Sequence, residues 1–275
     1  MALFQCKLFS ESLFRNINVN VILPYPDSSD FFLNTKTPRP VKDGEKYQVL
    51  WLLHGFIADE SDWQRFSSIE RYAQSKFVAV VMPDAYNSMY SNDAYAAGYY
   101  DFYTKELPEM MYNIFPLSRK RENNFVAGLS MGGYGALKAA FRNPEKYAAA
   151  ASLSGGLKMD AENGNEQKLG IAKYTALWRK SVFGENMEHW KPEEDDLQVI
   201  LKNQVQKNAL IPKIYQCCGT EDFLYEDNIE FRDYAKGLGV DLTYEEGPGV
   251  HDFDFWDPYI RKILDWLPLT GSIVD

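Results

Sequence analysis

Continuous apolar runs are the feature of this sequence that most restricts its fold. Residues 47–53 and 124–129 carry too few polar side chains to form strands with one face in water. Such runs are typical of strands buried on both faces of a parallel sheet. Stretches of helical character, such as 62–74 and 132–142, alternate with them. This alternation predicts crossover-connected parallel strands with helices on both faces of the sheet.

The remaining predicted elements extend the pattern to both ends of the chain. Asp62 is expected to cap the helix at 62–74, and Pro108 to kink the helix at 100–114 or delay its start. The first two strands are expected to form a hairpin or meander. The further predicted strands lie at 4–10, 16–23, 77–82, 147–153, 213–218 and 241–246, and the further helices at 100–114, 228–236 and 256–266. The chain is therefore predicted to be an α/β protein with a mostly parallel central sheet.

One segment interrupts this alternation. Residues 155–211 are polar and of helical character, and the acidic run at 193–196 is expected to begin a solvated helix after Pro192. In open α/β sheets, ligands bind at the carboxyl edge of the strands. We therefore interpret the segment as a cap-like helical excursion over that edge, within a single domain spanning residues 1–275.

Charge and cysteine content restrict the expected partners and location. The formal net charge of −10 disfavours nucleic acids and anionic membrane surfaces as partners. No stretch reaches the roughly 18 uncharged apolar residues that a membrane span requires, and the first residues lack the pattern of a signal peptide. Three cysteines do not suggest a disulfide framework, and Cys217 and Cys218 are expected to be small buried hydrophobes. We expect a cytoplasmic protein.

A glycine-rich turn at residues 128–132 is the first candidate functional feature. Its sequence, Gly-Leu-Ser-Met-Gly, has the form G-x-S-x-G, which alone is common. A predicted strand leads into it and a predicted helix leads out, as in the nucleophile elbow of the α/β-hydrolase fold. Gly128 and Gly132 fit because larger side chains would collide around the strained serine. We predict Ser130 as a nucleophile; the alternative is a glycine-softened turn without chemistry.

A serine nucleophile needs a base that accepts its proton. The chain has three histidines, His54, His189 and His251. In this fold the acid and then the histidine follow the serine along the chain, which excludes His54. His189 precedes any strand that would supply the acid. His251 follows the last predicted strand and is the predicted base; a surface-loop histidine without function is the alternative.

The acid must orient the imidazole and stabilise its cation. Asp222 follows the strand at 213–218, 92 residues after Ser130 and 29 before His251, so one helix and one strand fit in between. We predict Asp222 as the acid. Its neighbours Glu221, Glu226 and Asp227 are the competing candidates.

Acyl transfer also needs backbone donors where a tetrahedral oxyanion forms. The amide of Met131, directly after the nucleophile, is one predicted donor. The amide of Phe56, in the loop after the strand at 47–53, is the other. His54 is expected to pack within this loop and support its turn.

Several short motifs, taken together and in this order, resemble the esterase D family of α/β-hydrolases, and within it the bacterial tributyrin esterase or acetyl esterase branch. The resemblance implies an α/β-hydrolase fold, hydrolysis of short-chain acyl esters as small-molecule substrates, no metal or organic cofactor, and a homo-oligomer. It also implies a triad of Ser130, Asp222 and His251 with an oxyanion hole of Phe56 and Met131. The motifs are Leu-Leu-His-Gly (52–55), Asp-Trp (62–63), Met-Pro-Asp (82–84), Gly-Leu-Ser-Met-Gly-Gly-Tyr-Gly-Ala-Leu (128–137), Gly-Thr-Glu-Asp (219–222) and His-Asp-Phe-Asp-Phe-Trp-Asp (251–257).

Two alternative functions stay open at this point. S-formylglutathione hydrolases of the same family commonly have His where this chain has Leu129, which disfavours that thioesterase activity. A non-catalytic binding protein on a hydrolase fold is the third class. The sequence has no nucleotide-binding G-x-x-x-x-G-K-[ST], no H-E-x-x-H and no paired C-x-x-C. The tyrosines between 86 and 103 either line a site or pack in the core.

Overall fold

The computed structural model describes residues 1–28, 32, 41–158 and 172–274, and within them eight strands form one sheet. The strands are β1 (Ala2–Ser10), β2 (Arg15–Leu23), β3 (Val49–Leu53), β4 (Ala79–Pro83), β5 (Asn124–Leu129), β6 (Ala149–Leu153), β7 (Lys213–Gly219) and β8 (Leu242–Gly247). Their order across the sheet is β1-β2-β4-β3-β5-β6-β7-β8. The β1–β2 and β2–β4 pairs are antiparallel, and every other pair is parallel. The predicted mostly parallel sheet is confirmed.

Helices fill the connections between the parallel strands. They are α1 (Asp62–Phe66), α2 (Ile69–Lys76), α3 (Tyr99–Asp101), α4 (Leu107–Ile114), α5 (Met131–Arg142), α6 (Ala172–Phe183), α7 (Pro192–Asp195), α8 (Leu197–Gln206), α9 (Tyr225–Gly237) and α10 (Phe253–Trp266). A π-helical turn, Phe102–Glu106, joins α3 to α4. Among the described helices, none is long and apolar enough to cross a membrane.

The core lies on both faces of the sheet. Alternate residues of one strand point to opposite faces, so Trp51 packs with α5 on one side while Leu50 and Leu52 pack with α1, α2 and α10 on the other. All five residues of β3 are buried. This two-sided burial explains the continuous apolar runs in the sequence, and it confirms helices on both faces.

The helix predicted at 62–74 is wrong as one continuous element. The chain leaves the helix at Ser67, whose hydroxyl donates to the Trp63 carbonyl, and the Ser68 amide donates to Asp257 Oδ1 at 2.7 Å. Two helices, α1 and α2, therefore replace it. Ser61, rather than Asp62, occupies the N-cap position.

Pro108 accounts for the irregular helix between residues 99 and 114. A proline has no amide hydrogen, so the carbonyl of Thr104, four residues earlier, loses its usual helical donor. Lys146 Nζ donates to this carbonyl at 2.9 Å instead. The π-helical turn lies directly before α4, and the predicted disturbance by Pro108 is confirmed.

The acidic run after Pro192 begins α7 as expected, but it is not solvated throughout. Asp195 is buried, because its carboxylate pairs with the buried Lys138 Nζ at 2.6 Å. Cys217 and Cys218 are buried free thiols, as predicted.

Candidate active site

Ser130 lies in the sharp turn between β5 and α5. Its backbone has φ 53° and ψ −118°, a conformation that is unfavourable for a side-chain-bearing residue. A Cβ at Gly128 would lie 2.3 Å from the Gly132 carbonyl oxygen, and one at Gly132 would lie 2.5 Å from the Leu53 oxygen. Only glycine fits at either position, which is the steric requirement expected from the motif.

His251 is the histidine that contacts Ser130. It follows β8, and its Nε2 lies 2.9 Å from Ser130 Oγ. Its Nδ1 lies 2.9 Å from Asp222 Oδ2 and 3.1 Å from Asp222 Oδ1. A carboxylate only accepts, so Nδ1 carries the proton and Nε2 is left to accept from the serine hydroxyl. The Asp222 side chain is fully buried, whereas one fifth of the His251 side chain is exposed.

Two aromatic rings hold the His251 imidazole between them. The Phe223 ring centroid lies 4.6 Å away, and the Trp256 ring meets the imidazole edge-on at 4.9 Å. Trp256 is itself fixed, because its indole N–H donates to Ser154 Oγ at 3.1 Å. The imidazole is therefore restrained by packing as well as by the Asp222 hydrogen bond.

Glu221 joins the two loops that carry Asp222 and His251. Its carboxylate accepts from the Gly249 amide at 2.6 Å, and its own amide donates to the Gly249 carbonyl at 3.1 Å. The Thr220 amide donates to the Gly247 carbonyl at 2.9 Å. Asp222 and not Glu221 faces the imidazole, while the other competitors, Glu226 and Asp227, lie in the first turn of α9.

The loop after β3 packs directly against Ser130. A Cβ at Gly55 would lie 3.5 Å from Ser130 Cβ. Phe56 follows Gly55, and Met131 begins α5 immediately after Ser130. Within the described residues, neither the Phe56 amide nor the Met131 amide has a hydrogen-bond acceptor. Two unengaged donors therefore lie on the segments that border Ser130, as an oxyanion hole requires.

His54 is the first residue of this loop, and its imidazole takes no part in the hydrogen bonds that join Ser130, His251 and Asp222. It is buried, with Nδ1 2.7 Å from the Gly55 oxygen and Nε2 accepting from the Ala85 amide at 2.8 Å. Burial lowers the pKa of His54, against the raising influence of Asp84, 3.8 Å from Nε2. The expected supporting role in the turn agrees with these contacts. His189 is exposed near the end of the segment at 155–211.

Trp178, in α6, is a site neighbour that the sequence did not reveal. Its ring meets the Phe56 ring at 6.1 Å and the Tyr86 ring at 5.0 Å, both edge-on. No local pattern marks it, because its partners lie more than 90 residues away along the chain. Of the tyrosines between 86 and 103, Tyr86 joins this aromatic group, whereas Tyr90, Tyr99, Tyr100 and Tyr103 pack in the core.

In the part of the chain that the structure describes, no group of three or more His, Cys, Asp or Glu side chains is arranged to hold a metal ion. The site consists of one hydroxyl, one imidazole, one carboxylate and nearby backbone amides. Together these groups provide a nucleophile, a proton acceptor and donors for a developing negative charge.

Comparisons with known proteins agree with this chemistry. A family model named Esterase, described as "Putative esterase", matches residues 10–267. The acetyl esterase of Caldicellulosiruptor saccharolyticus is 32% identical over 268 residues, covering 97% of this chain and 98% of its own. The S-formylglutathione hydrolase FrmB of Staphylococcus aureus is 37% identical, with TM-score 0.80, and the fluorophosphonate-binding serine hydrolase FphF of Staphylococcus aureus is 38% identical, with TM-score 0.82. In each of these two comparisons the matched region covers 97% of this chain and 98% of the other chain.

Proposed function

Because the chain belongs to the esterase family and has the α/β-hydrolase fold, we propose that it is a serine carboxylesterase acting on short-chain acyl esters. The observation that carries the proposal is the continuous hydrogen-bonded path from Ser130 Oγ through His251 to Asp222. In the proposed reaction Ser130 is the nucleophile, His251 the general base and acid, and Asp222 the group that orients the imidazole.

The reaction proceeds in two steps. Ser130 Oγ attacks the ester carbonyl carbon as its proton passes to His251 Nε2, and the oxyanion accepts from the Phe56 and Met131 amides. The carbon–oxygen bond to the alcohol then breaks, and the alcohol leaves with the proton from His251. Water attacks the acyl-serine through the same base, and the carboxylic acid departs. Asp222 remains ionised and stabilises the imidazolium in both steps.

Two observations favour small acyl groups, from acetyl to butyryl. One is the 32% identity to an acetyl esterase over nearly the whole chain. The other is Trp178, a large side chain that packs against the ring of Phe56, whose amide is a proposed oxyanion donor. In this proposal, residues 155–211 act as a cap within a single domain. The expected substrates are tributyrin-like glycerol esters or acetylated sugars.

S-formylglutathione hydrolysis is the second candidate. The 37% identity to an S-formylglutathione hydrolase supports it. Leu129, where such enzymes commonly have His, disfavours it. A thioester would be hydrolysed in the same two steps. Its thiolate leaves more readily than an alkoxide, so this leaving group needs less help from His251.

Hydrolysis rates on p-nitrophenyl esters of increasing chain length, measured beside S-formylglutathione, distinguish the two candidates. We expect kcat/KM to be highest between acetate and butyrate. Ser130→Ala should lower kcat by about 10⁵–10⁶-fold. A fluorophosphonate probe should label wild-type Ser130, located by mass spectrometry, and leave the variant unlabelled. Ser130→Ala with near wild-type rates, or labelling elsewhere, would refute the assignment, and a preference for S-formylglutathione would favour the thioesterase.

The expected setting of the enzyme follows from the same proposal. We expect a cytoplasmic homo-oligomer that acts on small molecules without a metal or organic cofactor, and without nucleic-acid or membrane partners. Light scattering coupled to gel filtration measures the oligomeric state. A monomer at micromolar concentration would contradict that part of the proposal.

A further inference from the structure

The hydrogen bonds of the buried His54 fix its tautomer. Nε2 accepts from the Ala85 amide, which can only donate, so Nε2 carries the lone pair. In the neutral ring the proton must then be on Nδ1, which lies 2.7 Å from the Gly55 oxygen and donates to it. His54 is therefore a neutral bridge between the loop after β3 and the loop after β4.

This bridge determines the direction of one particular peptide group. The Gly55–Phe56 peptide is planar and trans, so its N–H points opposite to its C=O. Since the Gly55 oxygen points towards the His54 imidazole, the Phe56 N–H points away from it. Gly55 itself packs against Ser130, because a Cβ there would lie 3.5 Å from Ser130 Cβ. The Phe56 N–H is thus directed away from the buried imidazole, on the segment that borders the nucleophile.

Without His54 this peptide would be free to rotate. Glycine at position 55 removes the steric barrier that restrains other residues. Its flanking groups are held: the His54 carbonyl accepts from Tyr90 Oη at 3.0 Å, and the Ile57 amide donates to Asn87 Oδ1 at 2.6 Å. The peptide between them has one hydrogen bond in the described structure, the bond from His54 Nδ1.

We propose that His54 is a positioning residue that holds the Gly55–Phe56 peptide so that the Phe56 amide donates to the oxyanion. This inference rests on the proposed function, in which Phe56 supplies one of the two oxyanion donors. His54 acts through that amide and does not touch the substrate. Its contribution is largest in the transition state, where negative charge develops on the carbonyl oxygen.

Two substitutions separate the bonds that His54 makes. In His54→Asn, the amide nitrogen occupies the place of Nδ1 and keeps the donor to Gly55, while the acceptor for Ala85 is lost. In His54→Gln, the side-chain oxygen occupies the place of Nε2 and keeps the acceptor, while the donor to Gly55 is lost. Both variants lose one buried hydrogen bond, so a purely structural role would affect them alike.

The expected results differ between the two variants. Loss of an oxyanion donor costs about 10²–10³ in kcat, and a misdirected donor costs part of that. We expect His54→Gln to lower kcat on p-nitrophenyl acetate about 10–100-fold with KM changed less than about threefold, and His54→Asn to stay within about fivefold of wild type. The inhibition constant of a trifluoromethyl ketone, which forms a tetrahedral oxyanion on serine, should rise in His54→Gln by the factor by which kcat/KM falls.

Two further measurements keep the inference refutable. Tyr47→Phe, which removes the buried hydrogen bond to the Pro24 carbonyl at the other end of β3, should lower the melting temperature without lowering kcat more than about threefold. In the wild-type enzyme, nitrogen NMR of His54 at pH 7 should show a protonated Nδ1 and an unprotonated Nε2, and the reverse would overturn the inference. Equal loss of kcat in the Asn and Gln variants would also overturn it. If Ser130→Ala, assayed alongside, keeps wild-type activity, the proposed function fails instead.

Discussion

The buried pair of Lys138 and Asp195 offers the sharpest test of how the segment at 155–211 is held. Lys138 lies on α5, the helix that follows Ser130, and its Nζ is 2.6 Å from Asp195 Oδ1 and 2.5 Å from Ser91 Oγ. Asp195 Oδ2 also accepts from the Lys191 amide at 3.0 Å. Both charged side chains are more than nine-tenths buried. Substituting Asp195→Asn keeps the shape and leaves the lysine without its counter-charge.

The size of the effect has an upper bound. A buried lysine that loses its partner either stays charged or releases its proton. Relative to the wild type, releasing the proton at pH 7 costs about 1.4 kcal/mol, because the folded pKa of Lys138 is about 8 and each pH unit is worth about 1.36 kcal/mol. Breaking a buried pair while both charges persist typically costs more, about 3–5 kcal/mol. Because the proton can leave at the lower cost, we expect Asp195→Asn to lower the free energy of unfolding by about 1.4 kcal/mol at pH 7.

The loss should also depend on pH. Burial already lowers the pKa of Lys138 to about 8, although Asp195 acts to raise it. Removing Asp195 lowers that pKa further, so between pH 7 and 8 the folded variant has lost a proton that the unfolded chain retains. Stability of the variant then rises with pH, whereas the wild type, with a Lys138 pKa of about 8, has lost half of this proton at pH 8. The difference in stability between them should shrink by about 1 kcal/mol from pH 7 to pH 8.

Urea unfolding at pH 7 and pH 8 measures both quantities. In a thermal melt, 275 residues at about 2.1 cal/mol/K each imply a fall in Tm of about 2–3 °C for the expected loss. The control is Lys138→Met combined with Asp195→Asn, which removes both charges and should recover most of the stability. A loss below about 0.5 kcal/mol at pH 7, or a loss that grows from pH 7 to pH 8, would show that the pair behaves like a solvent-exposed ion pair and would refute the reasoning.

Two further predictions concern the site itself. Asp222→Asn should lower kcat by about 10⁴-fold with little change in Tm, because the amide favours the wrong imidazole tautomer. Hydrolysis rates on p-nitrophenyl acetate measure the effect, and a loss below about tenfold would exclude Asp222 as the orienting acid. Gly132→Ala should lower stability by about 3 kcal/mol or abolish folding, because its Cβ would lie 2.5 Å from the Leu53 oxygen and 2.6 Å from the His54 oxygen. Gly237→Ala, where a Cβ meets nothing within 4 Å, is the matched control, and equal melting temperatures for the two variants would contradict the steric argument.

The sheet was predictable because burial on both faces leaves a continuous local signal. The predicted strand at 124–129 matches β5 at both ends, whereas the one predicted at 47–53 begins at Val49 in the structure. Tyr47 lies before β3 and forms an isolated bridge with Leu117. The prediction of one helix at 62–74 was wrong because the break between α1 and α2 involves a hydrogen bond from the Ser68 amide to Asp257, 189 residues further along the chain. Such a contact has no signal in the surrounding sequence.

The candidate site, like the fold, was predictable from the sequence only where the signal is local. The turn around Ser130 has a local pattern, and the order of acid and histidine along the chain restricts the choice of Asp222 and His251. The structure brings these three side chains into hydrogen-bond contact, while their catalytic roles remain predictions. Trp178 was not predictable, because its neighbours come from distant loops. Asp195 was predicted as solvated, since nothing near it in sequence indicates a buried lysine on another helix.

The turn at Ser130 and the loop after β3 constrain each other, which explains why neither is fully described by its own motif. Gly132, in α5, must lack a side chain because the Leu53 and His54 carbonyls approach it, and a Cβ at Gly55 would lie 2.6 Å from the Leu129 side chain and in contact with Ser130 Cβ at 3.5 Å. The strained backbone at Ser130 is therefore held by the same loop that carries the proposed Phe56 donor. A change that displaces this loop should move the nucleophile and the oxyanion donor together. Double substitutions across the contact are then expected to be non-additive, since the second change acts on a geometry that the first has already disturbed.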